Sequence, residues 1–349
     1  MKYLLIKILR MFLRRRKRGE NDIRRILIIR LDKRLGNLVI ATPLVKRTRK
    51  QFPESSIDVF APGSFACLLD NNPHVDNVIS FHHREYVTKP WKLLSLLVRL
   101  RRKSYELVLD PKDQFSTTVA IMSIIIDGNR VIGFDFPGSG LYHDELVEYP
   151  SPHDYEPLRQ SRLLDGVAGS VNYADYPMRM YLDETEIDET LQWLKEKGIG
   201  EKQYIAMHCG GRGVKSYGVG NFMALAESIV EKYGIKIVML YGPDEKEDIA
   251  EYSSTENIVF ILPENIRRLA AVVDRSMLYI GGDTGPLHLA AALDIPTVSI
   301  FFASYWARYA PKGDKHRVYY KLGVPPDLET VMNLVDESLS DIGVSACGG

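Results

Sequence analysis

Short runs rich in Ile, Val and Leu recur along the chain, separated by stretches of helical spacing and by glycine-bearing turns. Such runs suit strands covered on both faces, a burial typical of parallel sheets whose crossovers are helices. A first set reads Arg25 to Arg30, Ile57 to Phe60, Val78 to Ser80 and Glu106 to Asp110. A second reads Tyr204 to His208, Lys236 to Tyr241, Met277 to Ile280 and Pro296 to Phe301. Helices are expected near 42–52, 91–103, 159–168, 186–197, 221–233, 266–274, 287–293 and 328–339, the first of them started by Thr42-Pro43 after a turn at Leu35-Gly36-Asn37. This alternation gives open α/β layers and excludes an all-helical bundle.

The 349 residues, 45% of them hydrophobic, are enough for two cores. The expected organisation is a basic amphipathic extension over 1–20, one α/β domain over 21–185, a second over 200–325 and a C-terminal packing helix over 326–345, with the boundary between Tyr176 and Glu201. Residues 133–160, rich in Pro, Gly, Tyr, Asp and His, read as surface loops.

The 45 basic and 45 acidic side chains cancel, which excludes a general nucleic-acid-binding surface. The balance is local: residues 1–18 carry Lys2, Lys7, Arg10 and the run Arg14 to Arg18 with no acid. Leu5, Ile8, Leu9 and Phe12 form one stripe of a helix ahead of that run. Two readings fit, a helix lying in an anionic membrane interface or one packed on its own domain before a solvated linker. Cys67, Cys209 and Cys347 are too few and too scattered for a disulfide framework or a thiolate metal site, so a reducing compartment is expected. No apolar stretch is long enough to span a bilayer and no signal-peptide core opens the chain. A monomer on the cytoplasmic side, with an anionic membrane surface as its partner on the first of those two readings, is the corresponding expectation.

Chemistry concentrates in two glycine-bearing loops. Gly281-Gly282 ends a strand, and Asp283-Thr284-Gly285-Pro286 leads into a helix that carries His288. Glycines let amides approach an anion, and a helix start offers unpaired N–H groups, so the loop suits a diphosphate; a tight structural turn is the alternative. Asp283 would repel such an anion and is expected to cap the helix or order the loop amides. Thr284 can add a hydroxyl donor, and His288 is either a phosphate donor or a core-edge histidine. The earlier loop, Cys209 to Ser216, supplies Arg212 and Lys215, which can stabilise a departing diphosphate unless the loop is only a solvated turn. Glu245 and Glu247 follow a strand end and can accept hydrogen bonds from a ribose, or can be solvated.

In this order the motifs resemble the bacterial lipopolysaccharide heptosyltransferases of glycosyltransferase family 9. The resemblance rests on Ile280 to Leu293 with Pro296-Thr297, on Leu35-Gly36-Asn37-Leu38-Val39-Ile40-Ala41-Thr42-Pro43-Leu44, and on His208 to Lys215. It implies a GT-B fold, two Rossmann-like domains facing across a cleft. The acceptor, a lipid-linked oligosaccharide, would be held by the first domain and the nucleotide sugar by the second. It further implies inverting transfer from ADP-heptose, with no obligatory metal and no cofactor. Lys215 matches the family's lysine near the diphosphate, and Asp283, Thr284 and His288 match its donor-side signature. Glu245 or Glu247 falls near its ribose-binding carboxylate.

One position departs from the pattern. The family's Asp after the glycine at Gly36, its proposed general base, is here Asn37, and an amide lacks carboxylate basicity. Asn37 can orient the acceptor, while Asp110, Asp113 or Asp32, placed at strand ends or beside the loop, can replace the base. A transferase using another nucleotide sugar, or a catalytically impaired nucleotide-sugar-binding protein, are the other functions compatible with this departure.

Overall fold

The computed structural model describes residues 2–13, 22–148, 151, 153–172, 175–211 and 213–347. The chain divides into two compact units, Met1–Met178 and Arg179–Gly349. The first contains β1 (Arg25–Ile29), β2 (Ser56–Pro62), β3 (Asn77–Phe81), β4 (Leu107–Asp110), β5 (Arg130–Phe134) and β6 (Glu145–Val147), in the order β3-β2-β1-β4-β5-β6. The second contains β7 (Tyr204–His208), β8 (Lys236–Leu240), β9 (Ile258–Ile261), β10 (Leu278–Gly282), β11 (Thr297–Phe301) and β12 (His316–Tyr320), in the order β12-β11-β10-β7-β8-β9. Every pairing in both sheets is parallel. Counted from its own first strand, each unit has the doubly wound order 3-2-1-4-5-6 of Rossmann-like domains. The α/β class is as the strand runs imply, and the two Rossmann-like halves are as the family resemblance implies.

Parallel strands need helical cover on both faces, and the alternation of burial shows it. In the first unit Leu27, Ile29, Phe60, Val108 and Val131 face a cluster that includes Ile6, Leu96, Leu97, Leu100, Val119 and Met122. These come from the helices Lys2–Leu13, Pro90–Lys103 and Thr117–Ile126, which therefore lie side by side on one face of the sheet. In the second unit Ile205, Met207, Ile237, Met239, Leu278 and Ile280 meet the helices Val219–Tyr233 and Leu328–Asp341.

Several expectations shift. Leu35-Gly36-Asn37 is not a turn but the start of the helix Leu35–Ile40, and Thr42 does not cap the next helix; its hydroxyl donates to the Val39 carbonyl at 2.7 Å. The segment 133–160 contains the end of β5 and all of β6, a strand too short to show a period, held at its edge by Arg130 Nε donating to Glu145 Oε1 at 2.7 Å. The helix Thr117–Ile126 escapes sequence reading because it is apolar all round, sandwiched between the sheet and its two neighbours. Its start is marked by Ser116 Oγ, which accepts from the Val119 N–H at 3.4 Å.

The N-terminal stripe splits. Ile6 is fully buried, Leu9 and Leu13 pack on the core, and Arg10 donates to the Gly140 carbonyl at 2.6 Å and to Asp144 Oδ1 at 3.0 Å. Leu5, Ile8 and Phe12 point outward with Leu4 and Met11. Arg14 to Arg18 lie outside the described residues. Among the described residues no helix is long and apolar enough to cross a membrane.

Candidate functional site

In an open α/β sheet, ligands collect beyond the carboxyl ends of the two central strands whose connections leave in opposite directions. The order 3-2-1-4-5-6 puts that point between strands one and four of each unit: β1 and β4 in the first, β7 and β10 in the second. Both loops singled out in the second half, and both the Asn37 segment and the Asp110–Asp113 segment in the first, leave these four strands.

In the second unit β7 and β10 are hydrogen-bonded neighbours, with Gly281 opposite His208. Their two loops consequently meet: Lys215 Nζ donates to the Asp283 carboxylate. The loop after β7 is folded tightly on itself, since a Cβ on Gly211 would stand 2.8 Å from Ser216 Cα and 3.2 Å from the Lys215 carbonyl oxygen. The loop then enters the helix Val219–Tyr233 at Gly218 with no side-chain cap. The loop after β10 enters the helix Gly285–Ala292 with Thr284 as N-cap and Pro286 in its first turn, again with no side-chain cap. At this second helix start the Thr284 N–H is donated to Gly282, Pro286 has no N–H and the Leu287 N–H bonds the Thr284 carbonyl at 3.2 Å, so the Gly285 N–H is the backbone donor left for an anion beside Gly282.

One expectation is corrected at this point. Asp283 caps nothing; it holds Lys215. Thr284 Oγ1 leans toward the Gly282 carbonyl at 3.5 Å, while its N–H donates to the same oxygen at 2.8 Å. His288 is buried within the helix and its Nδ1 has no partner among the described residues. Burial lowers its pKa, with Lys215 adding to that effect and Asp283 opposing it, so the ring is a neutral imidazole near pH 7. Arg212 lies outside the described residues.

Glu245 and Glu247 separate. Glu245 Oε2 accepts from the Gly242 N–H at 2.9 Å, and its Oε1 lies 2.9 Å from where a Cβ on Gly210 would be, so the carboxylate rests against the β7 loop. Burial, with Glu245 beside it, pushes the Cys209 thiol up to about 12. Glu247 is exposed on the helix Lys246–Ile249. His208, whose Nδ1 accepts from the Gly210 N–H at 3.1 Å, is pushed down by burial to about 4 and shapes the loop as a neutral ring.

The corresponding point of the first unit is built from side chains. Buried Arg30, just past β1, donates through Nε to the Asn37 carbonyl at 3.2 Å and meets Asp32 Oδ2 at 3.0 Å. Lys112, past β4, donates to Asp32 Oδ1 at 2.7 Å. Burial raises the Asp32 pKa, but Arg30, Lys112 and Arg34 together outweigh it and hold the carboxyl below its usual range. Asp110 is fully buried, with His143 Nε2 at 3.1 Å from its Oδ2 and the Lys112 N–H on its Oδ1 at 3.1 Å. Asp113 is half-buried, with Arg159 Nη1 3.8 Å away. Asn37 sits half-buried on the helix Leu35–Ile40. Arg30, Lys112 and His143 were not anticipated. Arg30 and Lys112 can be found by asking which polar residues follow β1 and β4, whereas His143, 33 residues beyond Asp110, gives no local signal.

The family model of glycosyltransferase family 9 (heptosyltransferase) matches residues 93–331, more than half of the chain. The chain belongs to glycosyltransferase family 9. Lipopolysaccharide heptosyltransferase 3 of Escherichia coli is 22% identical to this family 9 chain over 295 residues, covering 77% of it and 81% of the relative. Among solved structures, the family 9 glycosyl transferase from Veillonella parvula DSM 2008 superposes with a TM-score of 0.81 at 17% identity, over 93% of this chain and 99% of the other. The E. coli heptosyltransferase WaaC with ADP-2-deoxy-2-fluoro heptose gives 0.68 at 18% identity, over 91% and 100%. These likenesses show the GT-B fold for the family 9 chain and its place among glycosyltransferases.

Proposed function

We propose that this family 9 glycosyltransferase moves a heptose from ADP-heptose to a lipopolysaccharide core acceptor, with inversion at the anomeric carbon and without a metal. The observation that carries the reading is the meeting of the β7 and β10 loops, where Lys215 reaches Asp283 between Gly282 and the uncapped start of the helix Gly285–Ala292. Donors held where charge grows lower the barrier, so Lys215, once exchanged from Asp283, and the Gly285 amide would stabilise the leaving diphosphate. Glu245, held against the β7 loop, suits the ribose better than exposed Glu247. The names of the relatives, heptosyltransferases of lipopolysaccharide, support the donor and acceptor classes.

For the proton of the acceptor hydroxyl, Asp110 is shut in by His143 and Asp32 is held as a weak base by Arg30 and Lys112. Asp113, half-buried past β4 with Arg159 Nη1 3.8 Å away, is the base this reading assigns, with Asn37 orienting the acceptor by its amide. The reaction would take place on the cytoplasmic face of the inner membrane, with residues 1–18 keeping a monomeric chain near its lipid-linked acceptor. Because Ile6 and Arg10 are built into the first unit, deleting that segment would damage packing as well as anchoring.

The test is a panel of ADP-, UDP- and GDP-sugars read by calorimetry, followed by product mass and anomeric configuration with core oligosaccharides, with and without EDTA. ADP-heptose should bind tightest and turn over equally in EDTA. No affinity for any nucleoside diphosphate would end the reading. Asn37 favours a second one: binding of ADP-heptose with no transfer above an enzyme-free control would make the chain a nucleotide-sugar-binding protein, and transfer from another donor would move only the sugar.

A further inference from the structure

The helices Lys2–Leu13, Thr117–Ile126 and Pro90–Lys103 share one face of the first sheet, the middle one touching both others. Arg101 ties the outer two together by donating from Nη2 to the Leu13 carbonyl at 2.5 Å and from Nη1 to the Ile125 carbonyl at 2.7 Å. The helix Pro90–Lys103 buries Leu96, Leu97 and Leu100 against the sheet. Its other side presents Trp91, Leu94 and Val98, at i, i+3 and i+7, with Trp91 63% and Leu94 64% exposed. On the helix Lys2–Leu13 the outward residues include Met11 and Phe12, 71% and 75% exposed. Both apolar stripes point away from the same sheet face. Large exposed apolar side chains grouped in this way on each helix mark an interaction surface.

Basic residues outnumber acidic ones on that surface. The two outer helices carry eight Lys and Arg residues, three in Lys2–Leu13 and five in Pro90–Lys103, and neither they nor Thr117–Ile126 contain an Asp or Glu. Arg10, Lys92, Arg101 and Lys103 are paired with Asp144, Glu85, Asp127 and Asp58, whereas Lys7, Arg99 and Arg102 are exposed and have no carboxylate partner among the described residues. In a chain whose net charge is zero, this concentration selects an anionic partner. A second copy docked face to face would oppose like charges, whereas a bilayer accepts the apolar side chains at the acyl boundary and the cations among its headgroups.

We infer that Pro90–Lys103 and Lys2–Leu13 together form a two-helix face on which the first unit lies against an anionic lipid bilayer. This deepens the peripheral placement proposed above and is independent of the donor sugar. Sedimentation of the full chain with vesicles of phosphatidylcholine alone, or with about one third phosphatidylglycerol, tests it. The chain should bind the anionic vesicles only, more weakly as salt rises, with Trp91 emission quenched by brominated lipid and that quenching lost in Trp91→Phe. Trp91→Ser/Leu94→Ser/Val98→Ser should weaken binding about tenfold or more with residues 1–18 intact, and Arg99→Glu/Arg102→Glu should do the same. The charge pair carries the test if the apolar variant fails to fold. Equal binding to neutral vesicles, binding unchanged in the variants, or no vesicle binding by the parent chain, whether or not it dimerises, would overturn the inference. ADP affinity measured on the same samples reports separately on the nucleotide site.

Discussion

The two halves share a strand order and differ in what they place at its centre. Beyond β7 and β10 the second unit offers backbone: tight glycine-bearing loops and two uncapped helix starts, with Lys215 the described cation that meets them. Beyond β1 and β4 the first unit offers side chains: Arg30, Asp32 and Lys112 in one network, Asp110 and His143 in another. A backbone cradle recognises the constant part of a substrate, its phosphates, and tolerates little change in shape. A side-chain network can be rewired residue by residue, and the Asp-to-Asn departure at position 37 falls on that side.

The contrast can be broken most sharply at the base. Asp113→Asn should lower turnover about 10²-fold or more, and adding Asn37→Asp should restore part of it with a shifted pH–rate profile. Turnover untouched by Asp113→Asn would show that the first unit's network works without it. Next in size, Lys215→Ala should cut kcat by roughly 10²- to 10³-fold while the acceptor KM moves little. A change confined to KM would mean that Lys215 only binds.

Acid should separate the halves more gently. Burial brings His208 to about 4 and His316, which also feels Lys315, to about 4, both in the second unit, from an ordinary 6.5. Because the folded values lie below the unfolded one, the stability they contribute is complete above pH 6.5 and is lost as pH falls toward 4, up to about 3 kcal/mol each. Hydrogen exchange between pH 7 and pH 4 should therefore show β7 and β12 opening before β1 and β2, and His208→Gln with His316→Gln should flatten the difference. His74 in the first unit shifts in the same direction, so uniform loosening would point to it instead.

The smallest effect tests the cradle itself. Gly211→Ala forces a Cβ against the Ser216 backbone and should cost about 1–3 kcal/mol, together with ADP affinity. Gly166→Ala, with nothing within 4 Å, should leave both alone. Equal behaviour of the two variants would remove the argument from close packing.

What could be read from the sequence follows the same division. The central strands were legible because burial on both faces makes them apolar throughout, and the glycine loops because backbone chemistry is written in adjacent residues. The edge strands β6, β9 and β12 were not, being short or half-exposed, nor was the interior strand β5, whose Arg130-Val131-Ile132-Gly133-Phe134 runs into the loop-like segment, and the helix Thr117–Ile126 has no polar face to set a period. Side-chain networks join residues far apart, as Asp110 joins His143 and Lys112 joins Asp32, and only topology brings those together. Asp283 was misjudged for that reason: its role depends on Lys215, 68 positions earlier.

That partnership has a consequence for selectivity. Any anion that takes Lys215 competes with the Asp283 carboxylate for it, so a lone charge, such as chloride or a single phosphate, has little to offer in exchange. In the donor site proposed above, a molecule that also satisfies the neighbouring amide would complete the swap, and the aspartate would then act as a threshold between nucleotide sugars and the cell's smaller anions.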